Sequence, residues 1–459
     1  MRDPPSAPPP PPHESKTRED TTAMRSNFWV VRSEEVIKDK LQIYDVSVKQ
    51  APKLSNNSSL GKDFRLLILS VWSSCTGDGM FLTAFPLLAA LLTRDPVLIS
   101  GITIATKLPW LLFSLFTGAI SDRMDRRRLM IGSDIARCAI VATLAATIVT
   151  DHTNIWVLYA CAFALGICET LHTNCAQGIL PDLIESDQLM TANARFTSAQ
   201  VTSAQFMGPS LGVILFNTAS ALPFAADAIT FAGSAALIKA IPDVHGVEAP
   251  TTRLRDDMLD GLKFLRDDPV LRRLTAILTI LNFFYFAAAA LLVLYTSDLL
   301  HSGKVTFTAL SVGAALGTVA SRFLVGPISN RFESSGTIKV ALWVWAISSV
   351  GIAFTSSRYV AIASYILLGL GNGLWMIVNT TLRQQLTPAR MLGRMNAAFR
   401  TVSWGIVPFG AAFGGIAARY LGLRGPFIIF AVVMVGCAVF ARPMLKPLSK
   451  DAIGTTVPT

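Results

Sequence analysis

The stretch Gly118-Ala119-Ile120-Ser121-Asp122-Arg123-Met124-Asp125-Arg126-Arg127-Arg128 concentrates charge between two long runs that carry almost none. Residues 97–120 are uncharged except for Lys107, and residues 129–150 are uncharged except for Asp134 and Arg137. Each run approaches the roughly 20 residues that an α-helix needs to cross a hydrocarbon core of about 30 Å. The stretch therefore predicts an aqueous loop between two membrane-spanning helices. Because arginine clusters beside spans are retained in the cytoplasm, it also predicts the orientation of the chain.

The composition indicates a polytopic membrane protein. Of the 459 residues, 52% are hydrophobic and 15% are charged, a balance that is rare in soluble proteins. The net charge of +10 would suggest a nucleic-acid partner in a soluble chain. Here the basic residues gather in alternate loops, as the positive-inside rule requires, so we expect no nucleic acid and both termini in the cytoplasm.

The cysteines and the absence of nucleotide motifs exclude several other classes. All six cysteines fall inside apolar runs, where a disulfide framework is not expected. Cys161, Cys168 and Cys175 would share one helix face, and we interpret them as small packing residues and not as metal ligands. The sequence contains no phosphate-binding loop of the G-x-x-x-x-G-K-[ST] type, so we predict no ATP hydrolysis. We also predict no metal, since no cluster of further ligands lies near the cysteines, and no cofactor. An intramembrane enzyme would need a nucleophile and a base at one depth of the membrane, and the sequence offers no such pair.

The hydropathy pattern predicts an all-α membrane protein with 12 transmembrane helices in two pseudo-symmetric six-helix halves. Residues 1–60 begin with a proline run and are expected to form a disordered cytoplasmic tail. The N-terminal half occupies 61–241, a cytoplasmic linker with a short amphipathic helix occupies 242–270, and the C-terminal half occupies 271–445. Residues 446–459 form a second cytoplasmic tail. The predicted spans are 64–92, 97–120, 128–150, 154–178, 193–217, 221–241, 271–297, 306–329, 337–356, 359–382, 395–418 and 425–444.

An internal repeat supports the division into halves. The sequence from Gly118 to Arg123 returns 208 residues later as Gly326-Pro327-Ile328-Ser329-Asn330-Arg331. Likewise, Asn193-Ala194-Arg195-Phe196 at the start of the fifth span returns as Asn396-Ala397-Ala398-Phe399 at the start of the eleventh. Parallel halves of this kind place a substrate site at their interface, near the middle of the membrane.

These motifs resemble those of the major facilitator superfamily. The charged loop is similar to the family signature G-x-x-x-D-R-x-G-R-R between the second and third helices, although Asp125 replaces the second glycine. The fifth span contains Gly208-Pro209-Ser210-Leu211-Gly212, which resembles the motif of drug-exporting antiporters. The residues that match the loop signature are Gly118, Asp122, Arg123, Arg126 and Arg127.

Further sequences resemble the drug:proton antiporter branch that contains macrolide efflux pumps and the enterobactin exporter. They are Gly77-Asp78-Gly79 in the first span, Asp122 to Arg127 in the loop, and Leu180-Pro181-Asp182-Leu183 ahead of Ala192-Asn193-Ala194. The resemblance covers about residues 62–445. It implies a proton-coupled exporter, or antiporter, of amphipathic or lipophilic organic molecules such as drugs, macrolides or siderophores.

The resemblance also implies a conformational latch at the charged loop. Asp122 would meet the N-terminus of the eleventh helix near residues 393–396, where a carboxylate is favoured by the helix dipole. Arg126 or Arg127 would pair with an acid such as Asp134 or Asp182. The full predicted latch comprises Gly118, Asp122, Arg123, Arg126, Arg127, Asp134 and Arg137, of which Asp134 and Arg137 are expected to form an i,i+3 ion pair.

Asp78 and Glu169 are the candidates for proton coupling, because ionisable groups inside a membrane are costly and are usually functional. Asp78 lies midway along the first span between two glycines that permit close backbone approach. Glu169 lies at middle depth in the fourth span, on a polar stripe that includes His172. The alternatives are a permanently paired carboxylate for Asp78 and an interhelical hydrogen bond for Glu169. Asp227, near the outer end of the sixth span, is expected to be partly hydrated.

A third group of residues is expected to line the substrate cavity. Its members are polar or aromatic side chains on the predicted inner faces of four spans: Gln200, Asn282, Tyr285, Arg322, Asn372, Trp375 and Asn379. Aromatic residues in spans are more often packing residues, so simple packing remains the alternative for Tyr285 and Trp375. The helix-bend motif Gly208, Pro209 and Gly212 is expected to act as a moving part or a rigid brace, because proline removes a backbone hydrogen bond.

The sequence thus predicts alternating access by two rocking halves. The expected location is the plasma membrane, specifically a bacterial inner membrane, and the protein is expected to work as a monomer. Its partners would be a small-molecule substrate, protons and the lipid bilayer. Two alternatives stay open: a proton-coupled importer with the same fold, and a non-transporting membrane scaffold for which the proline-rich tail would provide an interaction segment.

Overall fold

The computed structural model describes residues 61–184, 188–242, 254–388 and 391–445, and all regular secondary structure within these ranges is helical. The predicted tails, 1–60 and 446–459, lie outside the described residues. The first half contains α1 (Gly61–Leu92), α2 (Pro96–Arg123), α3 (Arg126–Val149), α4 (Ile155–Leu183), α5 (Leu189–Thr202, continuing through the π-helical turn Ser203–Met207 to Gly208–Thr218) and α6 (Leu222–Lys239).

The second half follows the amphipathic helix α7 (Leu254–Asp267), which lies within the predicted linker. It contains α8 (Pro269–Ala289, followed by Leu292–Leu294 and the π-helical turn Tyr295–Leu299), α9 (Lys304–Phe354), α10 (Arg358–Leu386), α11 (Leu392–Gly405 and Val407–Leu421) and α12 (Gly425–Leu445).

The helices other than α7 make twelve membrane crossings, of which α9 makes two, as the sequence predicts. Within the described residues, ten helical segments are long and apolar enough to cross a membrane. The remaining two crossings are α5, whose apolar run is interrupted by the π-helical turn at Ser203–Met207, and α12, whose apolar segment Gly425–Phe440 is shorter. The all-α, twelve-span fold class is therefore confirmed.

Capping side chains set where several spans begin. Asp95 accepts a hydrogen bond from the backbone N–H of Val97 at 2.8 Å, and Pro96 occupies the first turn of α2. Asp125 accepts from the backbone N–H of Arg128 at 3.2 Å and so caps α3. Such caps satisfy backbone donors that have no partner within the helix. The aspartate that departs from the family signature at position 125 is thus the residue that starts the third span.

The helix α9 contains both spans predicted at 306–329 and 337–356. The difference from the prediction is that no loop separates them, because helical structure is continuous over 51 residues. The Thr318 hydroxyl donates to the Gly369 carbonyl at 3.1 Å, while the Trp345 indole donates to the Leu368 carbonyl at 2.9 Å. In a straight helix these donors would lie about 40 Å apart, yet both contact one turn of α10. The chain therefore reverses between residues 325 and 336 and crosses the membrane twice.

The two halves are joined at the end of the molecule where α1 ends and α2 begins, which we call the far side. There the Arg94 guanidinium contacts the Asp298 carboxylate at 3.1 Å, and the Lys304 ammonium lies 4.5 Å from the centre of the Phe216 ring. The opposite end is where α2 ends and α3 begins with Arg126, Arg127 and Arg128, and we call it the basic side. The far side is thus closed by contacts between the halves.

Glycines bring α1 and α5 into direct backbone contact. A Cβ atom on Gly208 would overlap the Thr76 carbonyl and the Gly79 backbone, and one on Gly212 would press on the backbone of Met80. The predicted helix-bend motif therefore lies against α1, immediately after the π-helical turn. A π-helical turn inserts an extra residue into the helix, and Pro209 lacks the N–H that a regular helix would use.

We predict that Gly208→Leu destabilises the protein strongly, because the opposing atoms belong to the backbone of α1 and cannot move aside. Overpacking of this kind typically costs about 1–3 kcal/mol. Gly436→Leu is the matched control, since nothing lies within 4 Å of a Cβ at that position in α12. Thermal unfolding monitored by size-exclusion chromatography in detergent measures both variants. Equal midpoints for the two would contradict the close α1–α5 contact.

Candidate functional site

A buried arginine organises the centre of the first half. Arg137, halfway along α3, has a side chain that is only 2% exposed. Its guanidinium donates to Asp134 at 2.5 Å, to Asp78 at 3.3 Å and to Ser74 at 3.1 Å. The guanidinium carbon also lies 4.3 Å from the centre of the Phe231 ring, within the range of a cation–π interaction. One cation therefore joins α3 to α1 and α6.

Asp134 is the fully buried acid of this network. One carboxylate oxygen accepts from the Ser234 hydroxyl of α6 at 2.6 Å, and the other faces Arg137 and lies 3.5 Å from Nε2 of His172 on α4. The i,i+3 pair is present, but Asp134 does not meet the loop arginines as the sequence suggested. It lies two turns inside α3, so its charge is balanced from within the helix bundle.

The arginines of the charged loop bind helix carbonyls. Arg126 donates to the Gly178 carbonyl of α4 at 2.8 Å, and Arg127 donates to the Ile238 and Lys239 carbonyls at the end of α6. Cations at helix C-termini satisfy free carbonyls and oppose the helix dipole. These two arginines therefore connect the start of α3 to the ends of α4 and α6 that lie on the basic side.

The side chains of part of the predicted latch lie outside the residues that the structure describes. The side chains of Gly118, Asp122 and Arg123, and of Asp182, are not among those described. The contact expected between Asp122 and the N-terminus of α11 accordingly stays a prediction. Asp134 and Arg137, which were grouped with the latch, instead belong to the buried network around Asp78.

Asp78 reaches Arg137 because glycines flank it. A Cβ on Gly77 would overlap the Asp227 and Thr230 side chains of α6, and one on Gly79 would overlap the Ala204 carbonyl of α5. The two glycines let α1 approach both neighbours, so the Asp78 carboxylate points toward α3. Its side chain is 31% exposed, whereas that of Arg137 is nearly inaccessible. Of the two carboxylates that pair with Arg137, Asp78 is therefore the one that water can reach, because Asp134 has no exposed surface.

Asp227 is buried, which corrects the expectation that it is partly hydrated. It has no exposed surface, and its Oδ1 accepts from the Thr230 hydroxyl at 3.2 Å. Within the described residues, Oδ2 has no hydrogen-bond partner. Because α6 is packed against Gly77 of α1, the carboxyl group that seemed close to the outer end of the span is covered by its neighbour.

Two cavities adjoin this network and share two of their lining residues. A small cavity of about 40 Å³ is lined by Asp78, Arg137 and Asp227, together with Lys107 and Glu169. Lys107 and Glu169 also line a larger cavity of about 550 Å³ between the two halves. The volume of the larger cavity suits a drug-sized ligand. Lys107 and Glu169 therefore stand between the ion network and the central cavity.

The larger cavity, which we call the central cavity, is bounded by α2, α4 and α11. Its lining from the first half is Lys107, Trp110, Leu111, Ser114, Glu169 and Asn174, and its lining from the second half is Asn396, Ala397, Arg400, Thr401, Trp404, Gly405 and Val407. Since the halves meet on the far side, this cavity is formed where they separate toward the basic side.

The seven predicted cavity residues line neither of these cavities, whereas the predicted site residues Asp78, Glu169 and Arg137 do line the small one. Asn282 donates to the Ser403 carbonyl at 2.6 Å, so it joins α8 to α11. Trp375 is buried against Trp345 with ring centres 5.8 Å apart, which is the packing alternative. Tyr285 packs on two phenylalanines, Asn379 is buried, Gln200 is half-buried, and Arg322 and Asn372 are exposed.

Sequence reasoning missed the α11 face of the central cavity. Asn396, Arg400 and Trp404 recur every four residues and so share one face of α11. Lys107 is the lone charge of residues 97–120, which is a second signal for this cavity. Both signals are present in the sequence, but the choice of the lining face depends on how the two halves are placed.

Known proteins are similar to this chain over most of its length. A family model described as transmembrane secretion effector matches residues 60–456. Macrolide efflux protein A of Streptococcus pyogenes is 21% identical over 417 residues, 90% of this chain and 97% of that protein. Multidrug efflux pump Tap of Mycobacterium tuberculosis is 25% identical over 410 residues, 85% of this chain and 96% of that protein.

Solved transporter structures share the fold. A variant of the nucleoside transporter NupG matches with a TM-score of 0.69 and 12% identity, covering 84% of this chain and 100% of that structure. A bacterial homologue of the human lysosomal transporter Spinster matches with a TM-score of 0.65 and 14% identity, covering 84% and 97%. At these identities the likeness shows the fold alone.

We predict that Arg137→Gln destabilises the protein by about 3–5 kcal/mol, because it leaves the buried Asp134 carboxylate without its cation. The double variant Asp134→Asn with Arg137→Gln should recover much of this loss, since two neutral amides carry no uncompensated charge. Thermal unfolding in detergent measures both.

Arg128→Gln is the control for removing an arginine, because Arg128 is 75% exposed and its ion pair with Asp125 is a surface pair. Equal shifts for Arg137→Gln and Arg128→Gln would contradict the central role of Arg137. A double variant no more stable than Arg137→Gln alone would contradict the charge-balance argument.

Proposed function

The chain belongs to the transmembrane secretion effector family of major facilitator transporters, which are not enzymes, and from that premise we propose that it exports amphipathic organic molecules in exchange for protons. One observation carries the proposal: Asp78, which faces Arg137, lines a small cavity whose residues Lys107 and Glu169 also line the central cavity. This is a route by which a proton could pass between the substrate cavity and a charged network.

Asp78 is the proposed proton acceptor. When ionised, it is held by Arg137, which also neutralises Asp134. When Asp78 takes up a proton, Arg137 keeps Asp134 as its partner, so the arginine remains neutralised and only the bond to α1 weakens. Charge pairs in apolar surroundings are much stronger than those in water, so one proton can change how α1 and α3 are held together.

Glu169 is the proposed relay between Asp78 and the substrate. It lies on α4 at the boundary of both cavities, and within the described residues it makes no hydrogen bond or ion pair. A carboxylate in this position can bind either a proton or a cationic group of the substrate. Competition between the two is what exchange of a substrate for a proton requires.

Alternating access is the proposed mechanism. The far side is closed by the Arg94–Asp298 contact, and the central cavity lies toward the basic side. Outward opening would break this contact and bring α11 toward the charged loop, where Asp122 is proposed to meet its N-terminus. The α1–α5 contact at Gly208 and Pro209 would hold the first half together as it moves.

The proposed location is a bacterial plasma membrane, with the basic side and both termini in the cytoplasm, because basic loops are retained there. The protein is proposed to work as a monomer, since the central cavity is lined by both halves of one chain. With this orientation the described conformation opens toward the cytoplasm and can load a substrate for export.

Import by the same fold and a non-transporting scaffold are the alternatives, and accumulation in cells distinguishes them. We expect cells that express the protein to accumulate less erythromycin and ethidium than control cells, and a protonophore should abolish the difference. Asp78→Asn should remove proton-driven export, because an amide cannot carry the proton, and Glu169→Gln should reduce it.

Asp151→Asn is the matched control, since Asp151 is an exposed residue of a far-side loop and should leave export unchanged. Higher accumulation in cells with the wild-type protein would replace export by import. No protonophore-sensitive difference for either compound would contradict proton-driven export of this substrate range, and it would favour the scaffold.

A further inference from the structure

The charges of the central cavity define a substrate class. We infer that the cavity selects amphipathic zwitterions, with a cationic group beside Glu169, an acidic group between Lys107 and Arg400, and a flat apolar body against Trp110 and Trp404. This inference rests on the proposed function, because it takes the central cavity as the substrate site.

The three charged residues of the cavity are not held by hydrogen bonds or ion pairs among the described residues. Within the part of the chain that the structure describes, Lys107, Glu169 and Arg400 make no hydrogen bond or ion pair. The neighbouring network differs in this respect, because Arg137 there is paired with two carboxylates. Lys107 and Glu169 are half-buried. A partly desolvated charge without an ion pair is costly, and a ligand with opposite charges would offset that cost.

The two cations converge from opposite halves of the protein. On α2, Lys107 and Trp110 are three residues apart and both line the cavity. The guanidinium carbon of Arg400 on α11 lies 5.7 Å from the centre of the Trp110 ring. Arg400 therefore lies over the residue one helical turn from Lys107, and in our proposal a carboxylate, sulfonate or phosphate contacts both cations.

The indole rings suit the apolar part of such a ligand. Trp110 lines the cavity, and its buried Nε1 has no acceptor among the described residues. Trp404 is 52% exposed in the cavity wall, with its ring centre 6.0 Å from that of Phe286. Flat apolar ligands stack on such rings.

The balance of charge makes a ligand of a single sign bind more weakly than a zwitterion of the same size, although it does not exclude such a ligand. A lipophilic cation would be attracted by Glu169 but repelled by both Lys107 and Arg400. An organic anion would pair with Lys107 and Arg400, but Glu169 would repel it. A zwitterion satisfies all three residues. Because Glu169 also lines the small cavity beside Asp78, protonation of Glu169 would release the cationic end of the ligand.

Three xanthene dyes with nearly the same skeleton provide the test. Rhodamine 110 is a zwitterion, rhodamine 123 is its methyl ester and a cation, and fluorescein replaces the amino groups by oxygens and is an anion. We expect the purified full-length protein in detergent at neutral pH to bind rhodamine 110 most tightly by fluorescence polarisation. The difference should be about tenfold to a hundredfold, the value of one charge-assisted hydrogen bond.

Substitutions should change the ranking in opposite directions. Glu169→Gln should favour fluorescein, because it removes the partner of the cationic group. Lys107→Gln and, independently, Arg400→Gln should favour rhodamine 123. Arg419→Gln is the matched control, because Arg419 is an exposed arginine of the same helix outside the cavity lining, and it should keep the wild-type ranking.

Equal affinities, tighter binding of either singly charged dye by the wild type, no binding of rhodamine 110, or an unchanged ranking in the cavity variants would overturn the inference. The measurement uses no proton gradient, so its failure would leave proton-driven export standing. Conversely, loss of the protonophore effect in cells would leave the dye ranking unaffected.

Discussion

The first half of this transporter depends on the neutralisation of one buried cation. Arg137 lies in the membrane interior, where an uncompensated charge would be costly, and it is balanced by Asp134 on its own helix and by Asp78 on α1. Ser234 and Phe231 bring α6 to the same point. The packing of α1, α3 and α6 is therefore inseparable from the electrostatics, and a change in the protonation of Asp78 acts directly on the contact between helices.

Glycine makes this electrostatic arrangement geometrically possible. Gly77 and Gly79 allow α1 to touch α6 and α5, and Gly208 completes the contact from the α5 side. The acid that we propose to take up protons is therefore fixed between two close helix contacts. A displacement of α1 at Asp78 would be transmitted to α5 through backbone atoms, which are less adaptable than side chains. In the mechanism that we propose, this contact would link the protonation of Asp78 to the movement of the whole half.

The network and the central cavity have complementary charge properties. Arg137 is internally paired, whereas the cavity residues Lys107, Glu169 and Arg400 make no hydrogen bond or ion pair among the described residues. The paired residues hold the fold together, and the unpaired residues are those available to a ligand. Glu169 belongs to the lining of both cavities, so it is the residue at which proton uptake and substrate binding would influence each other.

The sequence by itself determined the twelve spans and the two halves, and it singled out Asp78 and Glu169 as candidates, because hydropathy and the cost of intramembrane charge are properties of short segments. Only the tertiary structure decided that Asp78 meets Arg137, 59 residues away, and that α11 lines the cavity while the Trp375 face of α10 packs within its own half. In a membrane helix several faces are apolar enough to pack, so the face that lines a cavity is chosen by the neighbouring helices and not by the helix itself.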